Sequence, residues 1–207
     1  MKYQIVMPFI HRPYMEECLA TIKVPHENLL MVDNTEVNHG VAASWNMGVA
    51  KMYERDCDWL IILSAAMRFG EPGMQDFIDA IEKTEMDFLA CEPSHGWHCI
   101  AIRKTVFDRV GTFDENFYPI YWEDTEFGYR CSLAGITCWG SVEGIQLSNM
   151  MWSHSTQLAG VKADSEKLLA YLLRKWGGVR DHYEYKYPFN NPENSIKYWK
   201  KGDIDKC

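Results

Sequence analysis

Apolar and polar positions change in blocks along the first 90 residues. Three short runs are almost entirely apolar, as expected of strands buried on both faces of a sheet: "YQIVMPF", "NLLMVDN" and "DWLIIL". Three longer segments repeat apolar residues every three or four positions, which predicts helices: "PYMEECLATI", "GVAASWNMGVAKMYERD" and "MQDFIDAIEKT". This alternation with short connections predicts an α/β fold with a mostly parallel central sheet and helices on both faces.

After Cys91 the pattern becomes mixed. Strands are predicted in "HCIAIRK", "ITCWGSV" and "IQLSNMMWSH", and helical segments in "TVFDRVG", "EDTEFGYRCSLAG" and "KADSEKLLAYLLRKW". The second of these helices begins with acidic residues, which suit the helix dipole, and it ends at Gly135. We therefore expect a single domain made of an α/β half (1–91), a mixed half (92–176) and a surface tail (177–207).

Composition narrows the class of protein. The formal net charge of −8 argues against an open, generic nucleic-acid surface, although "LLRKWGGVR" with Lys162 and Lys167 could form a local basic groove or simply a solvated helix face. The seven cysteines show no Cys-x-x-Cys spacing, which favours reduced thiols over a zinc site. No apolar run approaches the roughly 20 residues that span a bilayer, and the N-terminus is typical of a first strand and not of a signal peptide. A cytoplasmic location is expected.

The segment "MVDNTEVNHGVAASWNMGVA" is the first candidate for chemistry. A predicted strand ends in Asp33 and Asn34, and a predicted helix opens at Gly40 with Asn46 in its second turn. The amides at the start of this helix could bind a phosphate, and Asp33 could bind a ribose or a base. An Asx-turn followed by an ordinary helix cap explains the same residues. Neither GxGxxG nor GxxxxGK[ST] occurs, so Rossmann dinucleotide and Walker sites have little support.

Two further signals follow. Glu123 and Asp124 come after an aromatic loop with Tyr121 and Trp122, so one carboxylate could act as a general base beside rings that stack on a sugar or a base. Acids that complement a helix dipole explain the pair equally well. His154 ends an apolar stretch, where it is either a satisfied core histidine or one ligand of a divalent cation.

In this order the motifs resemble the inverting nucleotide-sugar glycosyltransferases of family two, which have the GT-A fold. The resemblance runs from about Tyr3 to about Ser155 and includes "VMPFIHRP" and "VDNTEVNHGVAASWNMGVA". Its most specific part is "GWHCIAIRKTVFDRVGTFDENFYPIYWEDTEFGYR", in which GxFDExF leads to a Glu-Asp pair. It implies a nucleotide-sugar half in 1–91 and an acceptor and catalytic half in 92–176. A different phosphate-binding α/β enzyme would leave "GTFDENFYPIYWED" unexplained.

The resemblance also implies roles for single residues. Asp124 corresponds to the general base, with Glu123 beside it, and His154 to a metal ligand. The positions implied for the donor, a UDP-sugar first, are Pro8, Asp33, Asn34, Gly40, Asn46, Ala65, Ala66, Gly96 and Trp97. Those implied for the acceptor are Tyr121, Trp122, Lys175 and Trp176.

The acceptor itself is left open between two kinds of molecule. The tail "RKWGG…PFNNP" resembles small bacteriophage glycosyltransferases, so a hydroxymethylated base in DNA, in the cytoplasm of an infected host, is one acceptor. In that case Trp97, Trp122 and Trp176 would stack on a flipped base or on the sugar. A surface or lipid-linked glycan is the other.

The segment "ILSAAMRF" departs from the family pattern. Where the family carries an Asp-x-Asp motif that holds Mg²⁺ or Mn²⁺ against the diphosphate, this chain has Ala65 and Ala66, which offer no ligand. Three explanations of the pair remain open. The alanines are an engineered replacement of two aspartates, or the chain is a natural metal-independent transferase in which Arg68 or Lys175 neutralises the diphosphate. The third is a pseudoenzyme that only binds nucleotide or glycan. The missing ligands predict that transfer is impaired.

Overall fold

The computed structural model describes residues 1–92, 96–136, 139–149, 160, 162–179 and 182–194. The strands are β1 (Tyr3–Phe9), β2 (Leu29–Asp33), β3 (Trp59–Leu63), β4 (Met67–Phe69), β5 (Phe88–Ala90), β6 (Cys99–Arg103), β7 (Trp139–Ser141) and β8 (Leu147–Asn149). The α-helices are α1 (Arg12–Thr21), α2 (Val41–Glu54), α3 (Met74–Lys83), α4 (Lys104–Val110), α5 (Glu123–Leu133) and α6 (Ser165–Trp176). Short 3₁₀ turns lie at His26–Asn28, Gly96–His98 and Pro188–Asn190.

Six strands form the central sheet in the order β2-β1-β3-β6-β5-β7. Strand β1 pairs in parallel with β2 and β3, and β5 with β7, whereas β6 runs antiparallel to both β3 and β5. The predicted mostly parallel sheet is therefore confirmed. Phe9 is paired with Asp33 and Val6 with Ile62, so β1, β2 and β3 all end at the same edge of the sheet.

Side chains of successive strand residues enter two different cores, one on each face of the sheet. Ile5, Met7 and Phe9 pack in one core with residues of α1 and α3, whereas Val6 packs in the other with residues of α2, α4 and α5. This alternation is the two-residue period of a strand covered on both sides. Gly48 lets α2 approach β1, because a Cβ there would lie 2.5 Å from the Cβ of Val6. The prediction of helices on both faces is confirmed.

A third apolar cluster fixes α6 to the loop before α5. It contains Phe117, Leu168, Tyr171, Leu172 and Trp176, all buried. The segment 182–194 packs next to this cluster, where the Tyr129 hydroxyl donates to the carbonyl of Tyr185 at 2.6 Å. The sequence analysis missed β4 and β5, two strands of three residues each.

Two expectations concern bulk properties. Cys18, Cys57, Cys91, Cys99 and Cys131 are buried free thiols, as predicted for these five positions. Among the described residues, no helix combines the length and the apolar character that crossing a membrane requires.

Candidate functional site

The common edge of β1, β2 and β3 carries the first predicted site residues. Asp33 ends β2 with an exposed carboxylate. Its Oδ1 accepts from the amide and the hydroxyl of Thr35 at 2.9 and 2.6 Å, and its Oδ2 accepts from Arg12 at 2.5 Å. The hydrogen bonds from Thr35, and then the Arg12 guanidinium, lower the pKa of Asp33 below its usual value. Asp33 therefore holds its negative charge firmly at this edge.

Asn34 has a different role, because it shapes the loop between β2 and α2. Its backbone N–H donates to the carbonyl of Phe9 at 2.8 Å, its Oδ1 accepts from the N–H of His39 at 2.8 Å, and its Nδ2 donates to Ser44 at 3.1 Å. The side chain is buried. Both ends of the amide are thus occupied by the loop, and Asp33 is the residue of the pair that remains turned to solvent.

The aromatic loop, residues 112–122, packs onto the start of α2. The N–H of Val41 donates to the carbonyl of Pro119 at 2.8 Å, and the hydroxyl of Tyr118 donates to the carbonyl of Asn38 at 3.1 Å. Gly40 has φ of +84°, and a Cβ there would lie 2.8 Å from the Tyr118 ring. Glycine is therefore required at this contact by its backbone and by its neighbour. The contact fixes the segment that leads into α5 beside the loop between β2 and α2.

Asp124 lies in the first turn of α5, immediately after this loop. Tyr121 and Trp122 both have positive φ, +89° and +75°, which is unusual for residues of this size and common at functional sites. Oδ1 of Asp124 accepts from the amide of Thr125 at 2.7 Å and from its hydroxyl at 3.2 Å. The hydrogen bonds given by the described residues all fall on Oδ1, and Oδ2 receives none from them.

Glu123 is buried directly beside Asp124. It is 5% exposed, and its Oε2 has no hydrogen-bond partner among the described residues. Burial, and then the charge of Asp124, raise the pKa of Glu123 to about 8. Glu123 is therefore mostly neutral near pH 7.

Ala65 and Ala66 lie where β3 ends, and their methyl groups are buried. The N–H of Ser64 donates to the carbonyl of His98 at 2.7 Å, which places the turn Gly96–His98 next to them. The Arg68 guanidinium lies against this loop, because its Nη1 donates to the carbonyl of Ala65 at 2.9 Å. Arg68, which lies on β4, thus places a cation against the loop in which the resemblance implies carboxylates.

Two basic residues at this edge were missed by the sequence analysis. His11 and Arg12 follow β1 and begin α1; the His11 ring contacts Tyr14 edge-on at 4.6 Å, and Arg68 lies 5.8 Å from the Tyr14 ring. Nδ1 of His11 is buried and has no partner among the described residues. Single basic residues after a strand have no diagnostic spacing; the only signal was their place at a strand's carboxyl end.

Several predicted site residues serve the fold in this structure. Asn46 binds the loop before α5, since its Nδ2 donates to the Phe113 carbonyl and to Glu115, both at 2.9 Å, and its Oδ1 accepts from the Phe113 N–H. Trp97 stacks on Trp45 with ring centres 5.8 Å apart. Pro8 lies within β1, paired with Val32. The described contacts of Asn46, Trp97 and Pro8 are thus contacts within the fold.

The structure contradicts the acceptor-binding roles predicted for Lys175 and Trp176. Both side chains are fully buried. Lys175 donates to Asp114 at 2.6 Å and pairs with Glu126 at 2.9 Å, and the Trp176 indole donates to Glu126 at 3.2 Å. A side chain with no exposed surface cannot contact an acceptor or a diphosphate, so both roles suggested for Lys175 fail in this structure.

The described residues do not fit a divalent cation. No group of three or more His, Cys, Asp and Glu side chains in the described part of the chain is arranged to hold one. Ala65 and Ala66 contribute no ligand, and the Arg68 guanidinium, which donates to the Ala65 carbonyl, would repel a cation. His154, the predicted metal ligand, lies outside the described residues.

Comparisons with known proteins add the fold family. No protein-family model and no curated protein matches the sequence. Solved structures do match. Residues 1–349 of S. aureus TarS, in complex with UDP, align at 13% identity and a TM-score of 0.55, over 88% of this chain and 74% of that one. The catalytic domain of Drosophila β1,4-galactosyltransferase 7, in complex with xylobiose, aligns at 16% and 0.56, over 92% and 83%.

A third structure is the mannosyltransferase PcManGT from Pyrobaculum calidifontis, in complex with GDP-Man and Mn²⁺. It aligns at 12% identity and a TM-score of 0.54, over 84% of this chain and 64% of that one. All three are glycosyltransferases of the GT-A type. The chain therefore has the GT-A fold, as the sequence predicted, and identities this low establish the fold alone.

Proposed function

We propose that this protein is an inverting glycosyltransferase that moves a sugar from a nucleoside-diphosphate sugar to an acceptor hydroxyl. The observation that carries the proposal is the packing of the aromatic loop on the start of α2, with the Tyr118 ring against Gly40 and the Pro119 carbonyl on Val41. The contact supports the proposal because it holds the loop that leads to Asp124 against the start of α2, which follows the edge at which β1, β2 and β3 end. Open α/β sheets bind ligands at that edge.

The donor would lie along the edge with its nucleoside near Asp33. The low pKa of this carboxylate keeps it an acceptor for ribose hydroxyls or a base N–H. The fold relatives provide chemical support, because TarS was solved with UDP and with UDP-GlcNAc and the archaeal mannosyltransferase with GDP-Man. A UDP-sugar remains the first donor to test.

The chemical step would be a single displacement at the anomeric carbon. The acceptor hydroxyl attacks from the face opposite the nucleotide, and its oxygen forms the new bond to the anomeric carbon. Its proton passes to Oδ2 of Asp124. The bond to the diphosphate breaks, and its electron pair leaves with the nucleoside diphosphate, so the configuration inverts.

Glu123 would support this step by remaining neutral. Its burial against the strained turn at Tyr121 and Trp122 disfavours a second negative charge next to Asp124. A neutral Glu123 adds no second negative charge beside the proposed base. Like charges held this close otherwise share one proton.

The acceptor would be a sugar hydroxyl bound against Tyr121 and Trp122, which are half-buried at the start of α5. Of the three tryptophans predicted to stack on a flipped base, Trp176 is buried and the half-buried Trp97 stacks on Trp45, so Trp122 alone keeps that prediction. A net charge of −8 is also unfavourable for a phosphate backbone. A glycan acceptor is therefore the form of the proposal to test first.

Replacing Asp124 tests the assignment of the base. Asp124→Asn keeps the shape of the side chain but cannot accept a proton, so we expect release of UDP or GDP from UDP-GlcNAc, UDP-galactose or GDP-mannose to fall at least about a hundredfold. Donor affinity, measured by calorimetry, should change less than about threefold. Asp79→Asn on the exposed surface of α3 is the control and should leave both unchanged.

Equal loss of donor binding and of turnover in Asp124→Asn would contradict the base assignment. Nucleotide binding by the wild-type chain without any turnover would instead indicate an inactive nucleotide-binding relative of these enzymes.

A further inference from the structure

Arg68, on β4, places its guanidinium against the loop that follows β3. In the family that the sequence resembles, this loop carries metal-binding carboxylates. Arg68 donates from Nη1 to the carbonyls of Ala65 and Met67 at 2.9 and 2.7 Å. These two backbone oxygens fix the guanidinium beside Ala65 and leave its Nη2 pointing to α1. The Arg68 side chain is only 12% exposed. Its charge is thus a built part of the loop and not a mobile surface group.

The remaining partner of Arg68 is much more loosely placed. Nη2 donates to Oε2 of Glu17 at 2.7 Å, and the Glu17 side chain is 56% exposed on α1. An exposed carboxylate can rotate into water at little cost, whereas the buried guanidinium stays on its two carbonyls. A phosphate oxygen could therefore replace Glu17 on Arg68 without any movement of the backbone.

Other groups at the same edge make it suitable for an anion. Arg12 lies at the start of α1, where it pairs with Asp33, and the half-buried His11 has an Nδ1 without a partner among the described residues. The His11 ring contacts Tyr14 edge-on, the Arg68 guanidinium lies 5.8 Å from the same ring, and Arg12 lies over the Phe9 ring. In contrast, no carboxylate of the loop 64–66 is available to hold a cation.

We propose that Arg68 binds the diphosphate of the donor in place of a metal ion, with Glu17 occupying the phosphate position in the free protein. This inference rests on the proposed function and names how the same site binds its substrate. Arg68 would neutralise the charge that develops on the diphosphate as its bond to the sugar breaks. Nucleotide binding by this chain then requires no divalent cation.

Calorimetry with UDP, GDP and the corresponding nucleosides tests this. The wild-type protein should bind one of the diphosphates equally well in EDTA and in Mn²⁺. Arg68→Met should weaken that diphosphate about ten- to a hundredfold, the range for one charge-assisted hydrogen bond, and leave the nucleoside unchanged. Arg68→Lys should recover part of the loss. A merely structural role for Arg68 would weaken nucleoside and diphosphate alike.

Glu17→Gln gives a prediction of opposite sign. Removing the competing carboxylate should tighten diphosphate binding several-fold. The matched control is Glu71→Gln, which removes a carboxylate from the exposed pair with Lys23 and should change nothing. The double change Ala65→Asp with Ala66→Asp should weaken binding in EDTA, because the new carboxylates compete for Arg68.

The outcomes separate the two proposals. Diphosphate binding that appears only with Mn²⁺, or that survives Arg68→Met unchanged, overturns the role of Arg68 and leaves the glycosyltransferase proposal standing. Absence of binding by any nucleotide under all conditions overturns both. Strong metal-dependent binding gained by the double aspartate variant, with none by the wild type in EDTA, would identify the alanines as a disabled metal site.

Discussion

Glu123 and Asp124 are neighbours in the sequence, yet the fold gives them opposite environments. Asp124 sits half-buried in the first turn of α5 with one oxygen on the amide of Thr125, whereas Glu123 is buried with an oxygen that has no partner among the described residues. The sequence identified the pair as a candidate acid-base site but could not show that Glu123 is buried. That burial depends on how the turn at Tyr121 and Trp122 folds over Glu123.

The buried carboxyl of Glu123 makes a prediction about stability against pH. The pKa of Glu123 is about 8 in the folded protein against an ordinary value of 4.5, so the folded state holds a proton that the unfolded chain releases. The stabilisation is complete below the unfolded value and is lost as the pH rises through about 8. Glu123→Gln should therefore raise the melting temperature more at about pH 9 than at about pH 5.

Thermal denaturation across that pH range measures this difference. Because all other titrating groups are shared, subtracting the two curves isolates Glu123 and its interaction with Asp124. Parallel curves for the wild type and Glu123→Gln would show that Glu123 titrates normally.

At the scale of elements, a buried charge network joins α5, α6 and the loop that precedes α5. Asp114 accepts from Lys175 at 2.6 Å and from the Tyr171 hydroxyl at 2.7 Å. Glu126 pairs with Lys175 at 2.9 Å and with Arg130 at 2.9 Å. Burial alone would raise the pKa of Glu126, but Arg130 and Lys175 together lower it. Two acids and two bases thus compensate one another inside the protein.

Lys175→Met should be strongly destabilising, because it leaves Asp114 and Glu126 buried with only Arg130 as a compensating charge. We expect a loss of about 3–5 kcal/mol in the free energy of unfolding, measured by urea denaturation. Lys167→Met, on an exposed position of the same helix, is the matched control and should change stability by less than about 0.5 kcal/mol. Equal effects of the two substitutions would contradict the role of the network.

This network also explains why the sequence misplaced two residues. "LLRKWGG" has the composition of a solvated, basic helix end, and a pattern confined to one helix cannot reveal that Asp114 lies sixty-one positions away in the sequence and against Lys175 in the fold. Amphipathic spacing located α6 correctly, whereas the direction faced by its lysine depended on tertiary contacts. The same limit applies to Asn46, whose partners Phe113 and Glu115 come from the far half of the chain.

At the scale of the whole molecule, the sequence predicted the architecture well. The apolar runs of β1, β2 and β3 and the periodic segments of α1, α2 and α3 were long enough to show their periods. Position in the sheet did not follow from those patterns: β6 runs antiparallel between β3 and β5, a topology set by long-range pairing. The same division holds for the candidate site. The strand ends that form it were predictable from the sequence, whereas the cluster of His11, Arg12 and Arg68 was not.

The central claim is that this edge of the sheet binds a nucleoside-diphosphate sugar. The most direct test is the thermal stability of the wild-type protein with UDP-, GDP-, TDP- and CDP-sugars, each in EDTA and in Mn²⁺. A ligand present at about a hundred times its dissociation constant adds about 2.7 kcal/mol, which raises the melting temperature of a domain this size by several degrees. The account predicts that one nucleotide does so equally in both conditions. A protein whose melting temperature responds to none of them would contradict it.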